Sequence, residues 1–501
     1  DNFQYETEDI QLGFEGVLLN LTQLLNKYAA RSISHLFLTL FSKYGISFLQ
    51  ELEGEFCGFI YDKEQDKIYT YTNFTATKRV FYYHNDNIFI ADTSLDSLTL
   101  TLKENSVPVS LDTRASYAML TCSNMLEDMT PIQDVKKLRN AESICFDCKK
   151  GTYTVENYFS YHTLNLYTGS KSLAIDTLHE LFNEAVQLEY TKDQESGVSS
   201  LALLSGGLDS RVALLYALEL GFKPGQVLCF SQKGYWDEKI AGKIASDYNL
   251  PFLFVPLNGG EYLMNIDRMT QISEGLVHYT GSMHVDFAYQ FINRENIGLI
   301  HGGQLGDAIL GSYTQHPYKH SPSTSKIISS FQLYPRLETV FKDITENYDS
   351  EEFFLLKNVG FNRVVLGSYV AEEFSYQTSP FMHSPFIKFA LSLPEKWKYN
   401  QKIYLEWINK HCKPATRYIW ERTLMKPNAS WKTPLGDQVV KRAYNIITNY
   451  ILGRPYKGNM TAYEYYYHTN TQIQKYIDQY FQEYIPLLDD TIRKDAESLF
   501  K

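Results

Sequence analysis

Hydrophobic and polar positions change rhythm about a third of the way along the chain. Before that point, short apolar runs alternate with polar turns. Phe56-Cys57-Gly58-Phe59-Ile60-Tyr61 is followed by a polar stretch at 62–67 and then by Ile68-Tyr69-Thr70-Tyr71. Val80-Phe81-Tyr82-Tyr83 and Ile88-Phe89-Ile90-Ala91 flank His84-Asn85-Asp86-Asn87, a pattern that predicts a hairpin. Runs this short and closely spaced, over 54–158, predict antiparallel sheets packed on each other. Ahead of them, 33–51 has helical spacing. A polar, aperiodic stretch at 163–172 separates a second pattern. There, 173–190 reads as an amphipathic helix. Ser200-Leu201-Ala202-Leu203-Leu204, Val227-Leu228-Cys229-Phe230, Phe252-Leu253-Phe254-Val255 and Ile297-Gly298-Leu299-Ile300 are unbroken apolar runs, with helical stretches at 211–220 and 237–248 between them. Unbroken apolar strands separated by helices predict a parallel sheet covered on both faces. From about 329 the chain reads as mostly helical. The expected fold class is α/β. An N-terminal α+β antiparallel two-sheet sandwich spans 1–165, and a C-terminal parallel-sheet domain with helical additions spans 166–501.

Composition narrows the class. The chain has 501 residues, 44% hydrophobic and 21% charged, as in an ordinary soluble globular protein. Its formal charge of −11 argues against a chain built to coat nucleic acid. No apolar run approaches the roughly 20 residues a bilayer span needs, and no leading segment reads as a signal peptide. A cytoplasmic protein without membrane insertion is expected. Six cysteines do not suggest a disulfide scaffold. Cys145-Phe146-Asp147-Cys148 has no second pair and reads as strand and turn. With 39 Tyr and 30 Phe, aromatic packing should dominate the core. The chain opens at Asp1 without Met, as a processed chain or one lacking an upstream segment would.

One motif carries chemistry. Ser205-Gly206-Gly207-Leu208-Asp209-Ser210 follows a buried strand and opens a helix. Glycines let the backbone approach an anion closely. Free N–H groups and the helix dipole attract negative charge there, and two serine hydroxyls add donors. A carboxylate repels phosphate, so Asp209 makes sense as a Mg²⁺ ligand bridging to it. A chance match to five fixed residues in this length is on the order of one in a thousand or rarer. No G-x-x-x-x-G-K-[ST] loop is present, which argues against simple γ-phosphate hydrolysis.

The hexapeptide resembles the pyrophosphate loop of the ATP pyrophosphatases, which cleave ATP between the α- and β-phosphates and leave AMP on a substrate. A second stretch, Gly303-Gln304-Leu305-Gly306-Asp307-Ala308-Ile309-Leu310-Gly311-Ser312-Tyr313, is similar to the second signature of the asparagine synthetases. The resemblance implies that Asp307 is a second Mg²⁺ ligand beside Asp209. It also implies that Lys426, in Arg422-Thr423-Leu424-Met425-Lys426-Pro427, neutralises charge developing on the phosphates. ATP would lie on Leu204, Ser205, Gly206, Gly207, Asp209 and Ser210, with adenine near Leu204 and Phe230 and against the backbone of Gly302 and Gly303. Thr378-Ser379-Pro380-Phe381-Met382 resembles a family Arg-x-Pro-Phe-Leu stretch, with Thr378 in the arginine's place. The N-terminal half is similar to the class II glutamine amidotransferase (Ntn-like) domain in the order of Phe14-Glu15-Gly16, Gly54-Glu55-Phe56, Lys78-Arg79-Val80-Phe81-Tyr82-Tyr83 and Ile88-Phe89-Ile90-Ala91. The C-terminal half corresponds to the Rossmann-like PP-loop domain.

Departures from the family are as informative. Its glutaminase uses an N-terminal Cys, whereas the first cysteine here is Cys57, inside a strand. Its Asn-Gly-Glu clamp reads Glu15-Gly16-Val17, and an Asp expected near Leu36 appears as Ile33 or Ser34. A Glu credited with helping the incoming nitrogen is replaced by Gln304, with Glu372, Glu373 and Glu238 as substitutes. The leading expectation is an ATP-dependent, AMP-forming amide ligase. It would take a small-molecule or peptide carboxylate and an amine not made by its own glutamine hydrolysis, as do relatives such as β-lactam synthetases and lasso-peptide cyclases, or amide ligases of polysaccharide pathways. The alternatives are a glutamine-dependent asparagine synthetase whose N-terminus is missing, and a non-catalytic nucleotide-binding homologue. The Tyr463, Tyr465, Tyr466 and Tyr467 cluster reads either as a substrate wall or as core. A homodimer is left open.

Overall fold

The computed structural model describes residues 1–429, 432–446 and 459–500. Nine strands build the N-terminal half: β1 (Phe3–Glu6), β2 (Ile10–Leu18), β3 (Gly54–Asp62), β4 (Lys67–Thr72), β5 (Phe81–His84), β6 (Phe89–Asp92), β7 (Lys136–Lys137), β8 (Glu142–Asp147) and β9 (Thr152–Asn157). One antiparallel sheet runs β1-β2-β3-β4-β8-β9 and a smaller one runs β6-β5-β7. The hairpin falls where the pattern puts it, with Tyr82 opposite Ala91 and Asn85 turning the corner. Two helices interrupt the region read as β, Leu95–Glu104 and Thr113–Cys122. Each starts at a capping side chain, Ser94 accepting from Ser97 N and Asp112 from Ala115 N, and the first buries Leu95, Leu98 and Leu102 at helical spacing. The helix predicted over 33–51 divides into Ile33–Tyr44 and a tighter 3₁₀ turn, Gly45–Glu51. Cys145 and Cys148 lie on β8 and the turn after it, and all six cysteines are free thiols.

The C-terminal half holds β10 (Ser199–Leu203), β11 (Gln226–Ser231), β12 (Phe252–Pro256), β13 (Ile297–His301) and β14 (Gln377–Thr378). All pair in parallel, in the order β12-β11-β10-β13-β14. From β10 the chain winds outward through β11 and β12. It then returns to the other side of β10 as β13. The order therefore reverses between β10 and β13, and a crevice opens beyond the carboxyl ends of those two strands. Both sequence motifs are the loops that leave those ends.

The helix Lys171–Ser196 is longer than its periodicity suggested. Ser170 caps its start, and Gly197, at φ +66°, ends it. Its last turns serve the crevice from below. Asp193 accepts from Leu299 N at 2.7 Å, and Asp193 and Glu189 hold the buried His301 ring at 2.7 and 3.2 Å. Burial lowers the affinity of His301 for a proton, but the two carboxylates outweigh it and hold its pKa above the ordinary value. This triad anchors the end of β13, where Gly302 begins.

The two halves share one apolar core. Polar ties reinforce the seam. Lys78 reaches Glu15 at 2.5 Å and Glu372 at 3.6 Å. Arg79 reaches Glu274 at 3.2 Å and the Ile272 carbonyl at 2.7 Å, and buried Lys137 donates to Asn362 at 3.0 Å. Among the described residues no helix is long and apolar enough to cross a membrane.

Candidate active site

The Ser205–Ser210 loop leaves β10 and runs into the helix Asp209–Glu219. Its shape is fixed from within and from behind. The Ser205 hydroxyl accepts from Gly207 N at 3.1 Å and sits 3.1 Å from the Ser210 hydroxyl. Gly206 N donates to Asp237 at 2.6 Å, so this amide is engaged by the next helix. Arg211 is fully buried. Its guanidinium donates to the carbonyls of Gly206 (2.8 Å), Ala415 (3.0 Å) and Ile419 (2.8 Å). One side chain thus fastens the loop to the segment that carries Trp420 and Arg422. The first N–H groups of the Asp209–Glu219 helix have no intrahelical acceptors and face the crevice end of the sheet.

The second motif packs directly on the first. A Cβ built on Gly303 would stand 2.3 Å from Ser210 N, and one on Gly306 2.6 Å from Asp209 Cγ. Only glycine permits that approach. Between them Leu305 takes φ +64°, unusual for a β-carbon residue. The result is that Asp307 N donates to Asp209 Oδ2 at 3.0 Å, while Tyr404 donates its hydroxyl to Asp209 Oδ1 at 2.7 Å. Gln401 approaches Asp307 at 3.4 Å. Burial, and then the charge of Asp307, push the Asp209 carboxyl up to about 8. Burial raises Asp307 too, and Arg422 opposes both shifts. Two buried carboxylates side by side at a cleft floor, one of them raised by the charge of the other, form a donor set a divalent cation would satisfy.

A cleft of about 400 Å³ opens over this floor. Leu204, Ser205, Gly207, Asp209, Ser210, Phe230, Gly303 and Asp307 line it. Gly206 and Gly302 stand behind the lining. Gly302 is tied to β14 through its amide and the Thr378 carbonyl at 2.8 Å. Lys426 is exposed and does not line the cleft. The reason is a tight turn. Trp420 N donates to Met425 O at 2.9 Å, and Leu424 takes φ +55°. Residues 420–425 therefore fold back, Trp420 and Arg422 face the cleft, and Lys426 falls beyond the closing bridge. Among the described residues, Arg422 is the basic residue the cleft presents.

Gln304 lines the cleft, its Oε1 accepting from Ser368 at 3.0 Å. None of its suggested substitutes lines it. Glu372 faces Lys78 and Arg79 at the seam, Glu373 lies 3.5 Å from Arg268, and Glu238 accepts from Gly234 N. The tail tyrosines pack rather than wall. Tyr463 bonds Thr280 O at 2.7 Å and His284 at 2.8 Å, and Tyr466 is buried. Met460, just ahead of them, does line the cleft, its carbonyl accepting from Gln232 N at 3.0 Å. Tyr404, Gln377, Trp420 and Met460 carried no sequence signal. Arg422 did, in the stretch that contains Lys426.

In the N-terminal half, Cys57 is buried on β3, and burial pushes its thiol up to about 12. Glu15, at the clamp position, pairs with Lys78. A buried thiol so hard to ionise is a poor nucleophile.

An antiparallel amidotransferase-like half joined to a parallel-sheet half with a glycine-rich anion loop and a carboxylate pair defines a class. Residues 3–159 match the family described as glutamine amidotransferase domain, and residues 177–357 the family described as asparagine synthase. Together the two matches support the asparagine synthetase family. It is 22% identical to a Methanocaldococcus jannaschii protein assigned as a glutamine-hydrolysing asparagine synthetase, over 62% of this chain and 61% of that protein. A solved glutamine phosphoribosylpyrophosphate amidotransferase of B. subtilis is 10% identical. It covers 50% of this chain and 47% of its own, and its TM-score of 0.21 is too slight to bear on the fold.

Proposed function

We propose that this chain is an ATP-dependent amide-forming ligase that adenylates a carboxylate, releases pyrophosphate and passes the acyl group to an amine. The observation that carries the reading is the meeting of Asp209 and Asp307 at the mouth of the Ser205–Ser210 loop, with Arg422 facing them across the cleft. Asp209 and Asp307 would hold Mg²⁺, which when bound offsets phosphate charge and draws electron density from the α-phosphorus. Helix-start amides and the Ser205 and Ser210 hydroxyls would receive the leaving pyrophosphate. Arg422, fixed over the Trp420 ring at 5.4 Å, would stabilise charge on the pentacoordinate phosphate. Leu204 and Phe230 offer the apolar surface for adenine. The substrate carboxylate supplies its own oxygen nucleophile, so no base is needed in the first half-reaction. In the second, Gln304 accepts no proton, which favours an amine that arrives neutral.

The test is ATP–pyrophosphate exchange with candidate carboxylates, then product formation with free ammonia or amines. Arg422→Ala should cut exchange about 100-fold or more, whereas Lys426→Ala should leave it near wild type. The reverse order would restore Lys426 to the phosphate. Retention of ATP binding with no exchange under any substrate would favour a non-catalytic nucleotide binder.

We further propose that the amine is not liberated by Cys57. Glutamate release from glutamine should stay at background and be unaltered by Cys57→Ser. Turnover that falls with that substitution would overturn this part and favour the glutamine-dependent reading, which the M. jannaschii match supports.

A further inference from the structure

Beyond the cleft, the chain leaving Asp307 forms a loop whose histidines meet a buried acid. His316 and His320 stand four residues apart, with rings stacked at 4.2 Å. Glu351 opens the helix Glu351–Leu355 and is only 3% exposed. One ring nitrogen from each histidine and one carboxylate oxygen of Glu351 all lie within 4.8 Å of one another. Among the described residues, this is the group that could hold a metal through histidine.

Glu351 supplies a second, independent observation. Its Oε2 is buried and has no hydrogen-bond partner among the described residues. A buried carboxylate oxygen without a partner is unfavourable unless it draws in a cation or a donor. The two imidazoles stand within 4.8 Å of the carboxylate, and a neutral imidazole keeps one ring nitrogen as a lone-pair ligand beside its single N–H.

The surroundings pre-arrange the set. His320 Nδ1 lies 2.6 Å from the Ser321 carbonyl. A carbonyl only accepts, so Nδ1 carries the proton and the Nε2 lone pair is left outward, the arrangement usual for metal-bound histidine. Glu351 N donates to His320 O at 2.8 Å, which ties the loop to the acid it faces. Lys319 pairs with Asp349 at 2.6 Å, so that lysine is drawn to its own partner. Thr314 bonds Glu352 at 2.8 Å at the start of the loop.

We propose that His316, His320 and Glu351 form a binding site for a zinc-like divalent cation, separate from the Asp209–Asp307 pair. Two imidazoles and one carboxylate suit zinc, while magnesium and calcium prefer all-oxygen sets. Ligand atoms around tetrahedral zinc stand roughly 3.4 Å apart at bonds of ~2.1 Å. Rotation of the exposed His320 closes the remaining gap. Three protein ligands leave a fourth position for water. The bound ion would clip the loop after Asp307 to the helix at Glu351, which gives that loop a second fixed point outside the cleft.

The full chain, stripped with a chelator and dialysed, is titrated with Zn²⁺ by calorimetry and with Co²⁺ by visible absorption, with Mg²⁺ in excess throughout. One equivalent of Zn²⁺ and the strong bands of four- or five-coordinate cobalt are expected. His320→Ala, at an exposed position, should weaken zinc binding at least ~100-fold with the circular dichroism spectrum unchanged. His316→Ala should do the same, and Asp209→Asn should leave binding as in wild type. The proposal falls if zinc binds equally well in both histidine variants, if the wild type takes up none, or if Asp209→Asn is the variant that loses it.

Discussion

Asp209→Asn is expected to abolish ATP–pyrophosphate exchange, by at least ~1,000-fold, with any carboxylate that supports it in the wild-type chain. The substitution keeps the shape of the side chain, and its amide oxygen can still accept from Asp307 N while its amide nitrogen donates to the Tyr404 hydroxyl. What it removes is one negative charge from a pair. Without that charge Asp307 alone faces the phosphates, and a divalent cation has half its protein ligands. The loss should appear in turnover more than in folding. Burial and the charge of Asp307 both raise the Asp209 pKa, so in the metal-free protein the charge is a strain that asparagine relieves. The thermal midpoint should hold or rise while exchange disappears. Exchange within tenfold of wild type would remove Asp209 from the metal site.

The largest effect on stability is expected at Lys398. This lysine is completely buried and meets Glu352 at 2.6 Å, and the other oxygen of Glu352 takes the Thr314 hydroxyl at 2.8 Å. Gly311, at φ +133°, lies against the Lys398 carbonyl, where a Cβ would come within 2.1 Å. Together these contacts seat the segment that follows Asp307. Lys398→Met removes one partner of a desolvated pair and should cost about 3–5 kcal/mol. In a chain of this length unfolding need not be two-state, so the quantity to compare is the midpoint of the first denaturation transition. Adding Glu352→Leu should restore part of the loss, because an apolar pair of similar volume carries no stranded charge. A single variant as stable as wild type, or a double variant worse than the single, would show that the pair is not what holds the segment.

Alternation and period revealed both halves because burial writes them into the sequence directly. Unbroken apolar runs at β10, β11, β12 and β13 signal strands covered on two faces, and the Ser205–Ser210 hexapeptide sits where such a strand ends. The helix Leu95–Glu104 was hidden because its short leucine repeat lies among strand-like neighbours. At the cleft, glycine and aspartate were legible because their roles are local: close backbone approach, or charge at a helix start. Tyr404, Gln377 and Met460 were not. They reach the cleft, or in the case of Tyr404 the Asp209 carboxylate, from distant elements, and nothing in their neighbours along the chain sets them apart. Lys426 and Arg422 show the limit most clearly. Both are basic and four residues apart, and only the fold-back at Trp420 decides which one turns inward.

The shared seam has a consequence for how such a chain can be cut. Arg79, Lys78 and Lys137 cross from the front half to Glu274, Glu372 and Asn362, and near the other end Tyr117 takes the carboxylate of Asp495 at 2.8 Å. The last helix thereby grips the first half, while Met460, upstream of it, borders the nucleotide cleft. A fragment starting at 166 would bare stranded acids and a strip of apolar core, and one ending near 450 would lose a side of the cleft. Modularity on paper is not modularity in the folded chain. The amidotransferase-like half is a chassis for the other, whatever chemistry it performs itself.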